Sequence, residues 1–134
     1  MTDCIFCKII AGEIPSYRIY EDERVYAFLD VAEDADGHTL VVPKRHCSGL
    51  IDCDGESLAD TVHAVQKLCA HYIRDCGFEG ANVLNFTGEC AGQTVFHLHF
   101  HIIPRKTGDG VYSFPRFKKC TRTLAEMQKI LALG

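Results

Sequence analysis

Three histidines recur at every second position in His97-Leu98-His99-Phe100-His101-Ile102-Ile103. In an extended chain successive side chains alternate faces, so the three imidazoles share one face while Leu98, Phe100 and Ile102 share the other. Packing alone gives no reason for a wholly apolar face backed by a face of imidazoles. Neighbouring same-face positions lie roughly 6.6 Å apart and the outer pair about 13 Å, so two of them could share a metal ion but not readily all three. The other chemistry open to them is attack on phosphorus, because imidazole is neutral and nucleophilic near neutral pH and leaves once its adduct is hydrolysed. Nucleotidyl transfer also needs donors around the non-bridging oxygens. The loop Thr87-Gly88-Glu89-Cys90-Ala91-Gly92-Gln93-Thr94 offers them, with Gly88 and Gly92 allowing close backbone approach and Gln93 and Thr94 carrying donors. A second motif, Cys4-x-x-Cys7, is half of a zinc-site spacing and needs two ligands from elsewhere in the chain.

The elements that position these groups are short. Cys4 to Ala11 is an apolar stretch closed by Gly12 and Pro15 and reads as one or two helical turns. Tyr17 to Tyr20 and Val25 to Leu29 are β-prone runs around Glu21-Asp22-Glu23, a hairpin pattern, and Thr39 to Val42 is a third strand stopped by Pro43. From Leu58, small or apolar residues at Val62, Val65, Cys69, Tyr72 and Cys76 step by three and four, one face of a long helix with Asp54 as N-cap and Gly77 as its stop. Its polar stripe carries His63 and His71 as solvated residues. Ala81 to Phe86 and Val95 to Ile103 are two more strands, and a short last helix starts near Leu124, where Thr123 and Glu126 stand in capping-box spacing. Strands grouped around one long helix point to an α+β domain on a mainly antiparallel sheet.

The 134 residues suit one domain, read as spanning 1–134, with 47% hydrophobic and 24% charged residues. A formal net charge of -4 argues against a nucleic-acid partner, whose backbone is gripped by clustered Lys and Arg. The N-terminus lacks the pattern of a signal peptide and no apolar run approaches the roughly 18 residues of a membrane span, so the expected compartment is cytoplasmic, with no membrane contact. In that setting Cys47, Cys53, Cys69, Cys76, Cys90 and Cys120, which follow no disulfide spacing, are expected to be reduced thiols. Arg105, Lys106, Arg116, Lys118, Lys119 and Arg122 form a basic stretch, either plain surface or an attraction for polyphosphates.

Gly92-Gln93-Thr94-Val95-Phe96-His97-Leu98-His99-Phe100-His101-Ile102-Ile103 resembles the signature of the histidine triad (HIT) family, His-φ-His-φ-His-φ-φ with φ apolar. Cys4-Ile5-Phe6-Cys7-Lys8-Ile9-Ile10 resembles the family's opening segment, and Gly37-His38-Thr39-Leu40-Val41-Val42-Pro43-Lys44-Arg45-His46 its second motif. The likeness covers about residues 4–106 and leaves 107–134 as a C-terminal extension. It implies a HIT-like fold, a five-stranded antiparallel sheet with one long helix and short terminal helices, in a homodimer. The branch it most resembles is the Hint-like one, which hydrolyses nucleoside phosphoramidates, so a purine nucleoside phosphate or nucleotide conjugate is the implied ligand, with no organic cofactor.

By the same resemblance His99 matches the nucleophile, and His38 and His101 match histidines that support it and bind phosphate. Asn85, Gln93 and Thr94 match phosphate-side polar positions, Asp30 matches the acid that holds the ribose hydroxyls, and Ile5, Phe6, Ile9, Phe28 and Val31 match the apolar walls around the base. Likeness to zinc-bearing members supplies His46 and His97 as partners of Cys4 and Cys7, a closed tetrahedron and hence a structural Zn2+ site. Two departures stand out. Glu33 and Asp36 replace the usual prolines after the ribose-binding acid, making that loop more acidic, and a third histidine at 101, where the family's transferases have Gln, favours hydrolysis. Dinucleoside polyphosphate hydrolysis, a nucleotide-binding regulatory module with incidental turnover, and a metal-binding protein using the triad as ligands stay open beside the phosphoramidate reading.

Overall fold

The computed structural model describes residues 3–32, 34–110 and 117–134; Glu33 and Arg116 lie outside the described residues. Among these, five strands form one sheet: β1 Arg18–Glu21, β2 Val25–Leu29, β3 Thr39–Pro43, β4 Gly80–Leu84 and β5 Phe100–Arg105. Their order is β1-β2-β3-β5-β4, and every pairing is antiparallel. The helices are α1 Ile5–Ile10, α2 Gly55–Asp75 and α3 Leu124–Leu131, with a 3-10 turn at Glu89–Ala91 inside the glycine-bearing loop. The α+β class and the antiparallel sheet therefore stand as read from the sequence.

Alternation along the central strands sorts the core into two layers. Val25 and Ala27 of β2 and Val41 of β3 face α2, which meets them with Ala64, Val65, Leu68 and Tyr72. Tyr26, Phe28, Leu40 and Val42 face the other way and are covered by Phe6 and Ile9 of α1. Each such large side chain contributes about 1.5–3 kcal/mol on full burial, so covering both faces supplies a core without staples. Leu40 pairs directly with His101, and directly opposed residues share a face, so His101 lies on the α1 side. Gly37 turns the chain into β3 with φ +80°, and a Cβ there would come within 3.0 Å of Pro104 Cγ, so both backbone and space demand glycine just before His38.

Three elements differ from the sequence reading in ways that bear on the site and its support. Asp54 does cap α2, its side chain accepting from Ser57 N at 2.9 Å. The buried face, however, is Thr61, Ala64, Val65, Leu68 and Tyr72, while Val62 is 44% exposed and Cys76 is also exposed. Thr61, outside the apolar pattern, is buried with its hydroxyl satisfied by donating to Ser57 O within the helix at 2.7 Å. The larger correction concerns the histidine segment. The strand starts at Phe100, not Val95, because the carbonyls before it are taken by side chains: Gln93 Nε2 donates to Val95 O at 3.1 Å and His99 Nδ1 lies 2.7 Å from His97 O. Leu98 N turns to Cys47 O at 2.8 Å. Likewise β4 is Gly80–Leu84 rather than Ala81–Phe86, since Asn85 leaves the ladder to donate to His99 O at 3.1 Å.

Tyr72 ties the two halves of the fold together. Thr39 Oγ1 donates to Gly37 O at 2.7 Å, so at 2.6 Å it must accept from the Tyr72 hydroxyl. Tyr72→Phe leaves that buried oxygen without its donor and is expected to cost about 1 kcal/mol. A urea titration checks it, the midpoint falling with an unchanged slope.

Candidate functional site

His99 is 7% exposed and its ring is held at both ends of the logic that sets a tautomer. Nδ1 lies 2.7 Å from His97 O, and a carbonyl only accepts, so Nδ1 carries the proton and Nε2 the lone pair. Burial lowers the proton affinity of this imidazole, outweighing the carbonyl and Asp30, which act the other way. His99 Nε2 has no protein partner and still meets solvent, because the buried unpartnered side-chain polar atom among the described residues is His101 Nε2 alone. A neutral imidazole with an open Nε2 is the form that attacks phosphorus.

His101 packs beside it, ring centroids 5.1 Å apart, with Phe86 also at 5.1 Å. Its Nδ1 is 2.9 Å from His38 Nε2, and His38 Nδ1 is 2.7 Å from Asp34 Oδ1. Asp30 Oδ2 stands 3.6 Å from His38 Nε2 while its other oxygen accepts from Ala32 N at 2.9 Å. Burial first, then the nearby His99 and His38, hold His101 down to about 4, so it too is neutral at pH 7. Its orphaned Nε2 would cost roughly 1–3 kcal/mol if nothing ever met it, which marks it as a ligand-facing atom.

Of the apolar residues matched to the base walls, Phe6, Ile9 and Phe28 are buried together, and Phe6 stands edge-on to His99 at 5.1 Å and to Phe28 at 5.5 Å. Ile5 and Val31 are 46% and 78% exposed. Thr94 is exposed and free to meet a ligand. Gln93 is buried with its amide committed to backbone: Oε1 accepts from Gly88 N at 3.0 Å, and Nε2 donates to Ser48 O at 2.8 Å and Val95 O at 3.1 Å. It shapes the loop, as Asn85 does from the other side by holding His99 O. Asp34 and Phe86 reach the histidines although sequence reasoning gave neither a role; Asp34 was visible only as part of an unusually acidic loop, and Phe86 carried no signal at all.

On the far side of Phe6, Cys4, Cys7, His46 and His97 converge. His97 is fully buried and its Nε2 lies 2.8 Å from Pro43 O, so Nε2 holds the proton and Nδ1 presents a lone pair. That Nδ1 is 3.3 Å from Cys4 Sγ, 3.6 Å from Cys7 Sγ and 3.2 Å from His46 Nδ1, with Cys7 Sγ 3.4 Å from His46 Nδ1. A tetrahedral ion with bonds of about 2.0–2.3 Å separates its ligands by roughly 3.3–3.8 Å, so the four can hold a metal ion. Burial, and then the Cys4 thiol, push Cys7 up to about 11, a cost for a lone thiolate that a divalent cation reverses. His99 belongs to neither this group nor the other convergent set, Asp30, His38 and His101, which does not support the triad acting as one ligand set. Cys7→Ser is expected to lower the melting temperature of metal-replete protein by several degrees, and chelator treatment of the wild type should do the same; differential scanning fluorimetry reads both.

Residues 11–108 match the HIT domain model. Among similar proteins, the Bacillus subtilis protein called Protein hit is 55% identical over 111 residues, 81% of this chain and 75% of the relative. The adenosine 5'-monophosphoramidase of Candida albicans is 44% identical over 115 residues, 81% of this chain and 76% of the relative. A crystal structure of a Zn-bound histidine triad family protein from Mycobacterium smegmatis superposes with a TM-score of 0.79 at 37% identity, covering 84% of this chain and 81% of that one. With the imidazole pattern, the sheet order and these matches in agreement, the chain belongs to the HIT domain family.

Proposed function

We propose that this protein hydrolyses nucleoside phosphoramidates or related nucleotide conjugates at the α-phosphate, through a covalent nucleotidyl-His99 intermediate. The observation that carries the reading is the pair of neutral imidazoles whose Nε2 atoms have no protein partner, that of His99 meeting solvent and that of His101 buried beside it. The name borne by the Candida albicans relative, adenosine 5'-monophosphoramidase, agrees with it.

In the first step His99 Nε2 attacks phosphorus in line with the leaving amine, the bond from phosphorus to the amine breaks, and the amine departs with a proton drawn from solvent; the His99 Nδ1–H keeps donating to His97 O, which stabilises the charge that develops on the ring. His101 and His38 meet the phosphoryl oxygens, with Thr94 and the loop amides around them. Gln93 and Asn85 keep the loop and the His99 backbone in place. Asp30 takes the ribose hydroxyls, while Phe6, Ile9 and Phe28 line the base and Ile5 and Val31 stand at its rim. In the second step water displaces the imidazole and releases the nucleoside monophosphate. Zn2+ held by Cys4, Cys7, His46 and His97 would fix the N-terminal helix and the backbone of His97; the closed donor set gives it no place in the chemistry.

The single-domain reading, a cytoplasmic setting and a homodimer complete the proposal. For the dimer, β4 ends the sheet with its outer edge unpaired among the described residues and with Val83 46% exposed, a surface on which a second copy can continue the sheet.

Loss of the nucleophile should cost at least about 10³-fold in kcat, so His99→Ala is expected to be inactive yet folded, since Leu98 beside it and Ile102 of β5 stay buried. Steady-state rates with adenosine phosphoramidate, set beside a thermal melt, check this; wild-type turnover in that variant would end the mechanism. Two in-line displacements give net retention at a chiral phosphorus, whereas direct attack by water gives inversion. A substrate chiral at the α-phosphorus is therefore expected to yield product of retained configuration, and inversion would leave His99 only a general base.

A further inference from the structure

We propose that Asp34 is a positioning residue that acts through His38 to fix which nitrogen of His101 takes up a proton beside the bound phosphoryl group. The inference rests on the reading of the site under Proposed function.

Asp34, His38 and His101 form one chain of contacts that fixes where the hydrogens lie. A carboxylate only accepts, so at 2.7 Å from Asp34 Oδ1 the proton of neutral His38 sits on Nδ1. With that one proton on His38, its Nε2 is bare and at 2.9 Å accepts from His101 Nδ1. That leaves the lone pair of neutral His101 on Nε2, the buried orphan. Without Asp34 the opposite arrangement becomes equally available: His38 protonated on Nε2 would donate to His101 Nδ1 and turn His101 into its other tautomer, with a proton on Nε2 and no capacity to gain one there. Asp34 thus selects the tautomer in which His101 Nε2 is a base in the empty site and becomes a donor once protonated.

The electrostatics run the same way. Facing His101 are Asp30 from the end of β2, Asp34 and His38 from the loop before β3, and His99 from the segment before β5; Phe86, after β4, closes the remaining side without charge. His38 faces Asp30, Asp34 and His101. In the empty site burial keeps His101 neutral. A nucleotide anion next to Nε2 favours the imidazolium, and the proton comes from bulk solvent as the anion binds. The new positive charge stays on the His101 ring, whose Nδ1–H donates to His38 Nε2 while His38 Nδ1–H donates to the Asp34 carboxylate, so the one bond formed is N–H at His101 Nε2. The His38 contact holds Asp34 itself below the usual carboxylate range, so it is ionised throughout. The Asp34 side chain is 57% exposed, and replacing it removes no packing.

A purely structural Asp34 would cap its loop and leave the imidazoles as they are, so the test reads their protons directly. Long-range 15N–1H spectra of the full chain at pH 7 are expected to place the His38 and His101 protons on Nδ1 in the wild type, and AMP is expected to bring a second proton onto His101 Nε2. Asp34→Ala should give mixed tautomers at His38 and lose the AMP-induced protonation. Asp34→Asn keeps an oxygen that accepts from Nδ1 and should restore the wild-type tautomer. In turnover of adenosine phosphoramidate, Asp34→Ala should lose about tenfold in kcat, a fraction of the range for a missing general acid, with KM within about twofold, and Asp34→Asn should recover most of it. An unchanged His38 tautomer in Asp34→Ala overturns the proposal, and so does an altered tautomer with unaltered kcat, or an Asn variant that keeps the tautomer without recovering rate. A wild type that splits no phosphoramidate would count against the proposed function instead, and the AMP spectra would still decide the role of Asp34.

Discussion

Everything at this site hangs on where three carbonyl oxygens send their lone pairs. Val95 O, His97 O and His99 O would ordinarily belong to a sheet ladder, yet each accepts from a side chain: Gln93, His99 and Asn85 respectively. Buried backbone acceptors must be satisfied somewhere, and here that requirement draws the segment out of the sheet and sets the ring of His99 at the same stroke. The strand proper resumes only at Phe100, which is why His101 is registered to Leu40 while His97 and His99 are placed by loops.

The period-two pattern of imidazoles was readable because side-chain alternation outlasts the ladder: Leu98 and Ile102 are fully buried while His97, His99 and His101 gather around Phe6 and Phe86. The α2 cap at Asp54 and the capping box at Thr123 and Glu126 were readable for a similar reason, since caps are local. What the chain did not disclose was the identity of acceptors that carry no side-chain signature. Pro43 O fixes His97 and Cys47 O holds Leu98 N, and neither backbone oxygen leaves a trace in residue types. The α2 face differs from its apolar periodicity, with Val62 and Cys76 exposed, because packing against the sheet buries Ala64, Leu68 and Thr61, whose hydroxyl is satisfied inside the helix.

His97 does two jobs with separate atoms. Its Nδ1 joins the convergent cysteines and His46, its Nε2 is anchored to Pro43, and its carbonyl orients the ring of His99. With the ring pinned on both nitrogens and wholly buried, the main chain at this residue has little freedom, so the ligand cluster stiffens a contact it never touches. Phe6 stands edge-on to both His97 and His99 and so packs against a member of the cluster and the ring beyond it at once.

The acceptor that orients His99 is main-chain oxygen, and this bears on how such a site can change over descent. In a serine-protease triad the orienting group is a carboxylate, which one substitution removes. Here every amino acid placed at position 97 brings the same carbonyl, so exchange of that residue can abolish the metal ligand while the tautomer lock on His99 persists. Inheritance of the cluster and inheritance of the His99 tautomer are thereby uncoupled: lineages are free to shed the cysteines and the first histidine, provided other packing holds the backbone, while the ring of His99 keeps its orientation.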